Sequence, residues 1–132
     1  MWFYEDKEID EAALEGYIGF VYLITNEVNG KQYIGKKLLK KTRTKKVKGK
    51  RNRKVVTDSD WRDYYGSNAA LKEDIARLGP ENFKRTILKL CKSKGTCNYW
   101  EAKYQMQHEV LESNLFYNDW IMVKVHRSHI KT

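Results

Sequence analysis

Asn29-Gly30 stands between two β-branched and aromatic runs, Phe20-Val21-Tyr22-Leu23-Ile24 and Lys31-Gln32-Tyr33-Ile34-Gly35. An Asn-Gly pair in that setting commits a chain to a β-hairpin, because both central residues of a type I′ turn need positive φ. With Asn29 and Gly30 as the two turn residues, Val28 faces Lys31 and Asn26 faces Tyr33. Side chains alternate along a strand, so Tyr22, Ile24, Asn26 and Tyr33 then share one face of the hairpin. A one-residue slip would put the two tyrosines on opposite faces.

Downstream, a loop or long excursion leads to Trp61-Arg62-Asp63-Tyr64-Tyr65-Gly66-Ser67. Ser67 or Asn68 caps a helix with Leu71, Ile75 and Leu78 on one side, and Gly79-Pro80 ends it. Residues 82–90 read as a third strand, and a second helix runs from near Asn98 to about Glu112. The segment 115–125 is strand or helix, and the acidic start, 1–15, is a short helix or a frayed arm. A chain of 132 residues has room for one modest core. The expected class is α+β: a small, roughly three-stranded antiparallel sheet begun by a β-hairpin and flanked by helices. The expected organisation is an acidic N-terminal extension over 1–16, a domain over 17–125 with a basic insertion at 36–54, and a short basic tail over 126–132.

The net charge of +9 is concentrated in that insertion. Lys36, Lys37, Lys40, Lys41, Arg43, Lys45, Lys46, Lys48, Lys50, Arg51, Arg53 and Lys54 are 12 of the 26 basic residues, with no acidic residue among them. The remainder carries 14 basic and 17 acidic residues, so one segment accounts for the whole basic character. Such a run suits a polyphosphate, since each phosphate contact releases condensed counterions. A solvated loop and an anionic lipid surface are the alternatives. No apolar periodicity accompanies the run, which disfavours a membrane, and no apolar stretch approaches the ~20 residues of a membrane span. Cys91 and Cys97, the two cysteines, read as buried small hydrophobes. The expected location is the cytoplasm.

Gly19-Phe20-Val21-Tyr22-Leu23-Ile24-Thr25-Asn26, followed by Asn29-Gly30-Lys31-Gln32-Tyr33-Ile34-Gly35-Lys36-Lys37, resembles the opening of a GIY-YIG nuclease domain. The second triplet, Tyr33-Ile34-Gly35, is matched in full. In the first, Tyr22 is the tyrosine, while Phe20 stands where the family's glycine usually does, with Gly19 just before it. The order downstream is also similar: a helix, a strand approached through Gly79 to Phe83, a helix with Glu101, then Tyr117-Asn118. The stretch around Trp61 and Tyr65-Gly66-Ser67 further resembles the phage-encoded, homing-endonuclease-like branch. The resemblance covers 19–123.

It implies a metal-dependent endonuclease hydrolysing phosphodiester bonds of DNA, in the cytoplasm of a host cell if phage-encoded. Such chemistry needs an activated water, stabilisation of the phosphorane-like transition state and help for the leaving oxygen. By resemblance Glu101 is the metal-binding carboxylate, holding Mg²⁺, with Mn²⁺ as an alternative. The implied catalytic set is Tyr22, Tyr33, Arg43 and Asn118, with Tyr22 in the closer role to the water. Arg43 is the first arginine after the second triplet, and Lys37, Arg51 or Arg53 are alternatives for its phosphate-binding role. The other basic residues of 36–54 would grip DNA, and a homodimer on DNA is one way to cut both strands.

Each assignment has a structural competitor. Strand tyrosines commonly pack one face and wet the hydroxyl. Glu101 follows Asn98 by three residues, the spacing of a capping box. Asn118 beside Asp119 suits a turn. The rival function is a catalytically inactive nucleic-acid-binding module on a nuclease fold; a protein-interaction module is a third.

Overall fold

A computed structural model describes residues 1–46 and 48–130, and the side chains of all of these except Arg43 and Lys45. The centre is β3 (Gly19–Asn26), whose run of Phe20, Val21, Tyr22 and Ile24 is almost entirely inaccessible. A strand apolar at successive positions must be covered on both faces. It pairs antiparallel with β4 (Gln32–Leu38) on one side and β7 (Phe83–Cys91) on the other. Beyond β7 lies β1 (Trp2–Tyr4), parallel to it, then the short β2 (Lys7–Glu8), giving a mixed sheet ordered β2-β1-β7-β3-β4. The three expected antiparallel strands are therefore present, inside a wider sheet. The first residues, expected as a short helix or frayed arm, form these outer strands and a 3₁₀ turn over Glu11–Leu14. Trp2 explains the difference: its ring is buried edge-on against Phe20 and Tyr22, and Nε1 donates to the Trp61 carbonyl at 2.9 Å.

One face of the sheet, with Phe20, Tyr22, Ile24 and Ile87, packs under Trp2, Leu14, Trp61 and α1 (Ala69–Leu78). The other face, with Val21, Ile34 and Cys91, packs under α2 (Lys94–Gln107) through Cys97 and Trp100. Both cysteines are free and buried. Asn68 caps α1 by accepting from the Leu71 N–H at 3.0 Å, and Gly79, at φ 91°, ends it.

Three expectations are corrected. The hairpin turns through Glu27, Val28, Asn29 and Gly30, pairing Thr25 with Gln32 and Ile24 with Tyr33. Asn26 outcompetes the two-residue turn: its carbonyl accepts from Gly30 N–H at 2.8 Å and its side chain from Val28 N–H at 3.0 Å. The register thus moves by two residues, and an even shift leaves every side chain on its face. Second, α2 begins at Lys94, because Ser93 is extended and its Oγ accepts the Thr96 N–H at 3.1 Å. Asn98 and Glu101 lie inside the helix, so they form no capping box. Third, much of the basic run is a two-stranded antiparallel ribbon of β5 (Lys40–Lys45) and β6 (Arg53–Asp58), separate from the main sheet. Leu39 and Ser59 anchor its base through Leu39 N–H to Ile18 O and Ser59 N–H to Leu39 O, at 2.8 and 2.9 Å.

Residues 115–125 are neither helix nor extended strand. They run along β4 with a single parallel bridge, Gln32 to Phe116, formed by Gln32 N–H to Leu115 O and Tyr117 N–H to Gln32 O. Among the described residues no helix is long and apolar enough to cross a membrane.

Candidate active site

β4 ends the sheet, so the N–H and C=O groups on its outer side need partners from elsewhere. The backbone of Leu115 and Tyr117 satisfies Gln32. At Ile34 the Asn118 amide acts as a substitute strand: Oδ1 accepts the Ile34 N–H at 3.1 Å and Nδ2 donates to its C=O at 2.8 Å. Gln105 Nε2 donates to the same carbonyl at 2.9 Å. At Lys36 the backbone N–H meets the Glu101 carboxylate. Protection of the open edge thus gathers Glu101, Gln105 and Asn118 along one line.

That line is the floor of a cleft of about 440 Å³. Tyr22, Tyr33, Ser67, Asn68, Lys36 and Asn98 also line it, and the exposed Asp119, Trp120, Met122 and Lys124 form its lip. Tyr22 starts from the α1 face of the sheet and reaches the cleft over Gly35, its cross-strand partner. A Cβ on Gly35 would stand 2.5 Å from the Tyr22 hydroxyl oxygen and 3.0 Å from the Tyr33 ring. Tyr64 packs edge-on to Tyr22, with ring centres 6.0 Å apart. The Tyr33 hydroxyl, half-buried, lies 3.5 Å from Ser67 Oγ.

The loop bearing Tyr64, Gly66 and Ser67 is braced from beneath by Arg85 of β7. This guanidinium, 2% exposed, donates to the carbonyls of Arg62 and Tyr64 at 2.9 and 3.0 Å. It is sandwiched between the rings of Trp2 and Tyr65. Tyr117, just before Asn118, is anchored on the α1 side, donating its hydroxyl to Asp74 at 2.6 Å and accepting from Asn26 Nδ2 at 3.0 Å.

Burial sets the protonation states. Glu101 is raised from the ordinary 4.5, chiefly by loss of water, while the Lys36 ammonium and backbone N–H pull it back. Tyr22 is raised well above 10 by burial, with Tyr64 and Tyr33 adding to the effect. Tyr33 is raised too, again by burial, and the Ser67 contact partly offsets this. Both tyrosines are therefore neutral phenols at neutral pH, able to donate hydrogen bonds.

Of the residues singled out in the sequence, Tyr22, Tyr33, Lys36, Glu101 and Asn118 converge on the cleft. Lys36 Nζ also contacts Asn98 Oδ1. Lys37 points to the other face, where it pairs with Asp60 at 2.6 Å over the Tyr64 ring. Lys40 pairs with Asp58 at the ribbon base. Arg43 sits on β5 opposite Val55, and Lys45 opposite Arg53; these two side chains are outside the described residues. Lys41, Lys46, Lys48, Lys50, Arg51, Arg53 and Lys54 are exposed on the ribbon and its loop. Sequence reasoning missed Arg85, Gln105, Ser67, Trp120 and Lys124. Only Gln105 carried a signal, the four-residue spacing that sets it on the helix face of Glu101.

A hard divalent cation fits this donor set as a partly hydrated guest. Among the described residues no three His, Cys, Asp or Glu side chains cluster to cage an ion. Mg²⁺ is commonly held by one or two carboxylates plus waters and substrate oxygens. The cleft offers the Glu101 carboxylate and Asp119 at the lip, and it is also lined by Gln105, whose buried Oε1 has no hydrogen-bond partner among the described residues.

A family profile described as "Putative endonuclease segE, GIY-YIG domain" matches residues 2–121. A curated protein of Enterobacteria phage T4 named "Putative endonuclease segE" is 33% identical over 99 residues. The aligned part is 75% of this chain and 39% of that protein, so the chain spans well under half of the relative's length. No solved structure matches the chain.

Proposed function

This chain belongs to the GIY-YIG endonuclease family, and on that premise we propose that its cleft hydrolyses phosphodiester bonds of DNA with a divalent cation, Mg²⁺ or Mn²⁺. The observation that carries the reading is the convergence of Tyr22, Tyr33, Lys36 and Glu101 on one cleft. A surface whose only task was to grip phosphate would gain nothing from burying a carboxylate there.

Glu101 would hold the cation, which supplies Lewis acidity and stabilises the leaving oxygen. Tyr33 takes the position nearer to the attacking water, because its hydroxyl reaches the cleft half-exposed beside Ser67, whereas Tyr22 is 1% exposed. This reverses the order suggested by the resemblance. Tyr22 is the inner hydroxyl, held neutral by burial beside its hydrogen-bonding neighbour Tyr64, and would orient the reacting groups by donating rather than by accepting a proton. Lys36 places an ammonium beside Glu101 where the developing phosphorane charge needs a cation. In this reading it takes the phosphate-binding role expected of Arg43, with Lys37, Arg51 or Arg53 as alternatives. Lys124 at the lip and the basic ribbon of β5 and β6 would hold the flanking phosphates.

Asn118 serves this site through Ile34: both ends of its amide are engaged there, so it positions β4 and the segment leading to Asp119. One cleft then cuts one strand, and a double-strand break follows from a homodimer on DNA or from two successive events.

Cleavage of supercoiled plasmid with Mg²⁺ or Mn²⁺ tests the proposal. Metal-dependent nicking that is lost in Glu101→Ala and reduced at least about 100-fold in Tyr33→Phe supports it. Plasmid that is bound but uncut by the wild type with both ions overturns it in favour of an inactive nucleic-acid-binding module.

A further inference from the structure

One turn beyond Glu101 on α2, the Gln105 side chain is only 5% exposed and lines the same cleft. Its amide orientation is fixed, because Nε2 donates to Ile34 O at 2.9 Å and the opposite flip would set two oxygens against each other. Oε1 is left buried with no partner among the described residues. An unpaired buried acceptor is destabilising, because it gives up its hydrogen bond to water and gains none in return. The sheet edge does not require this expense, since Asn118 Nδ2 already satisfies the Ile34 carbonyl at 2.8 Å. A methionine would fill similar space with no orphaned oxygen.

The missing partner of Oε1 must be a donor or a cation. A substrate phosphate oxygen is an acceptor and cannot serve. The Lys36 ammonium, which also lines the cleft, is engaged by Asn98 Oδ1. A partly hydrated divalent cation on Glu101 would bring coordinated waters, whose polarised protons are strong donors. We propose that Gln105 is a positioning residue of the cation site, accepting through Oε1 a hydrogen bond from a water coordinated to the ion held by Glu101. This rests on the nuclease reading above, since it needs the cation there. Being neutral, the amide fixes the water without adding a second charge to the floor of the cleft. Outer-shell partners of this kind typically alter metal affinity 10–100-fold.

The test is Mn²⁺ binding followed calorimetrically on the full chain without DNA, with thermal unfolding in EDTA reporting whether each variant is folded. Wild type should bind Mn²⁺ saturably, and Glu101→Ala should abolish the binding. Gln105→Met and Gln105→Leu, which both remove the acceptor, should each weaken it about 10-fold. A folded Gln105→Met with wild-type Mn²⁺ affinity overturns the inference. If Gln105→Met does not fold, a folded Gln105→Leu with unaltered affinity overturns it equally. Indifference at Gln105 beside a clear Glu101 effect sinks this inference alone, whereas a wild type showing no Glu101-dependent uptake removes the cation reading itself and this inference with it.

Discussion

Tyr22 reaches the cleft across Gly35: the two are cross-strand partners, and a Cβ on the glycine would lie 2.5 Å from the tyrosine's hydroxyl oxygen. The last residue of the second triplet is therefore a gap in the sheet through which the first tyrosine passes. The ring has little room to retreat, with Trp2 on one side and Tyr64 on another at ring-centre distances of 5.5 and 6.0 Å.

Gly35→Ala should accordingly destabilise the fold by ~1–3 kcal/mol, the usual cost of overpacking a filled core. Nicking should fall more than stability, because the displaced hydroxyl is in the site. Thermal unfolding and plasmid cleavage on the same preparation check this, and an alanine variant with wild-type Tm and activity would refute it.

Asn118→Ala leaves the Ile34 N–H without its partner and its carbonyl with Gln105 only. The expected loss is about 1–3 kcal/mol. Its specific signature is faster hydrogen exchange at the Ile34 amide relative to neighbouring β3 amides, measured by NMR. Uniform exchange across the sheet would show that the amide does not hold the edge.

Arg85→Met removes two charge-assisted donors from the carbonyls of Arg62 and Tyr64. A stability loss of at least about 2 kcal/mol should follow, together with proteolytic sensitivity of the 61–68 loop. A variant as protease-resistant as the wild type would mean the loop is held by its aromatic packing instead.

Glu101 makes stability depend on pH with a definite sign. Its folded pKa is raised above the ordinary 4.5, so the folded state holds the proton more tightly than the unfolded one. Its relative contribution is best below 4.5 and is lost as pH rises through the raised value. Without divalent cation, Glu101→Gln should therefore be more stable than wild type at pH 7, with the difference vanishing towards pH 4. Chemical denaturation at several pH values in EDTA measures it. A difference that instead grows on acidification would contradict the burial of the carboxylate.

The ribbon should act as an electrostatic handle. Replacing Lys46, Lys48 and Arg51 by alanine should weaken DNA binding similarly for unrelated sequences and flatten the salt dependence by about one unit of slope per lost phosphate contact. Fluorescence anisotropy over a salt series reads both quantities. An unchanged slope would locate the phosphate contacts elsewhere, beside Lys36 and Lys124.

What the sequence determined alone was local: the hairpin, the face shared by Tyr22 and Tyr33, and a cap of α1 at Ser67 or Asn68, of which the structure uses Asn68. Period-two alternation and capping chemistry act over a few residues and survive an error of two in register. The ordered motif also singled out Glu101 and Asn118. Only the tertiary structure decided how these serve the site. Trp2 joins the core because a distant carbonyl at Trp61 and the rings of Phe20 and Tyr22 receive it. Asn118 becomes a strand surrogate because β4 is left at the edge of the sheet. Among the described side chains of the basic run, Lys36 lines the cleft, and beyond it the chain turns out of the sheet after β4 into a separate ribbon. Each outcome depends on which elements end up adjacent, a property of three-dimensional packing that no short stretch of residues encodes.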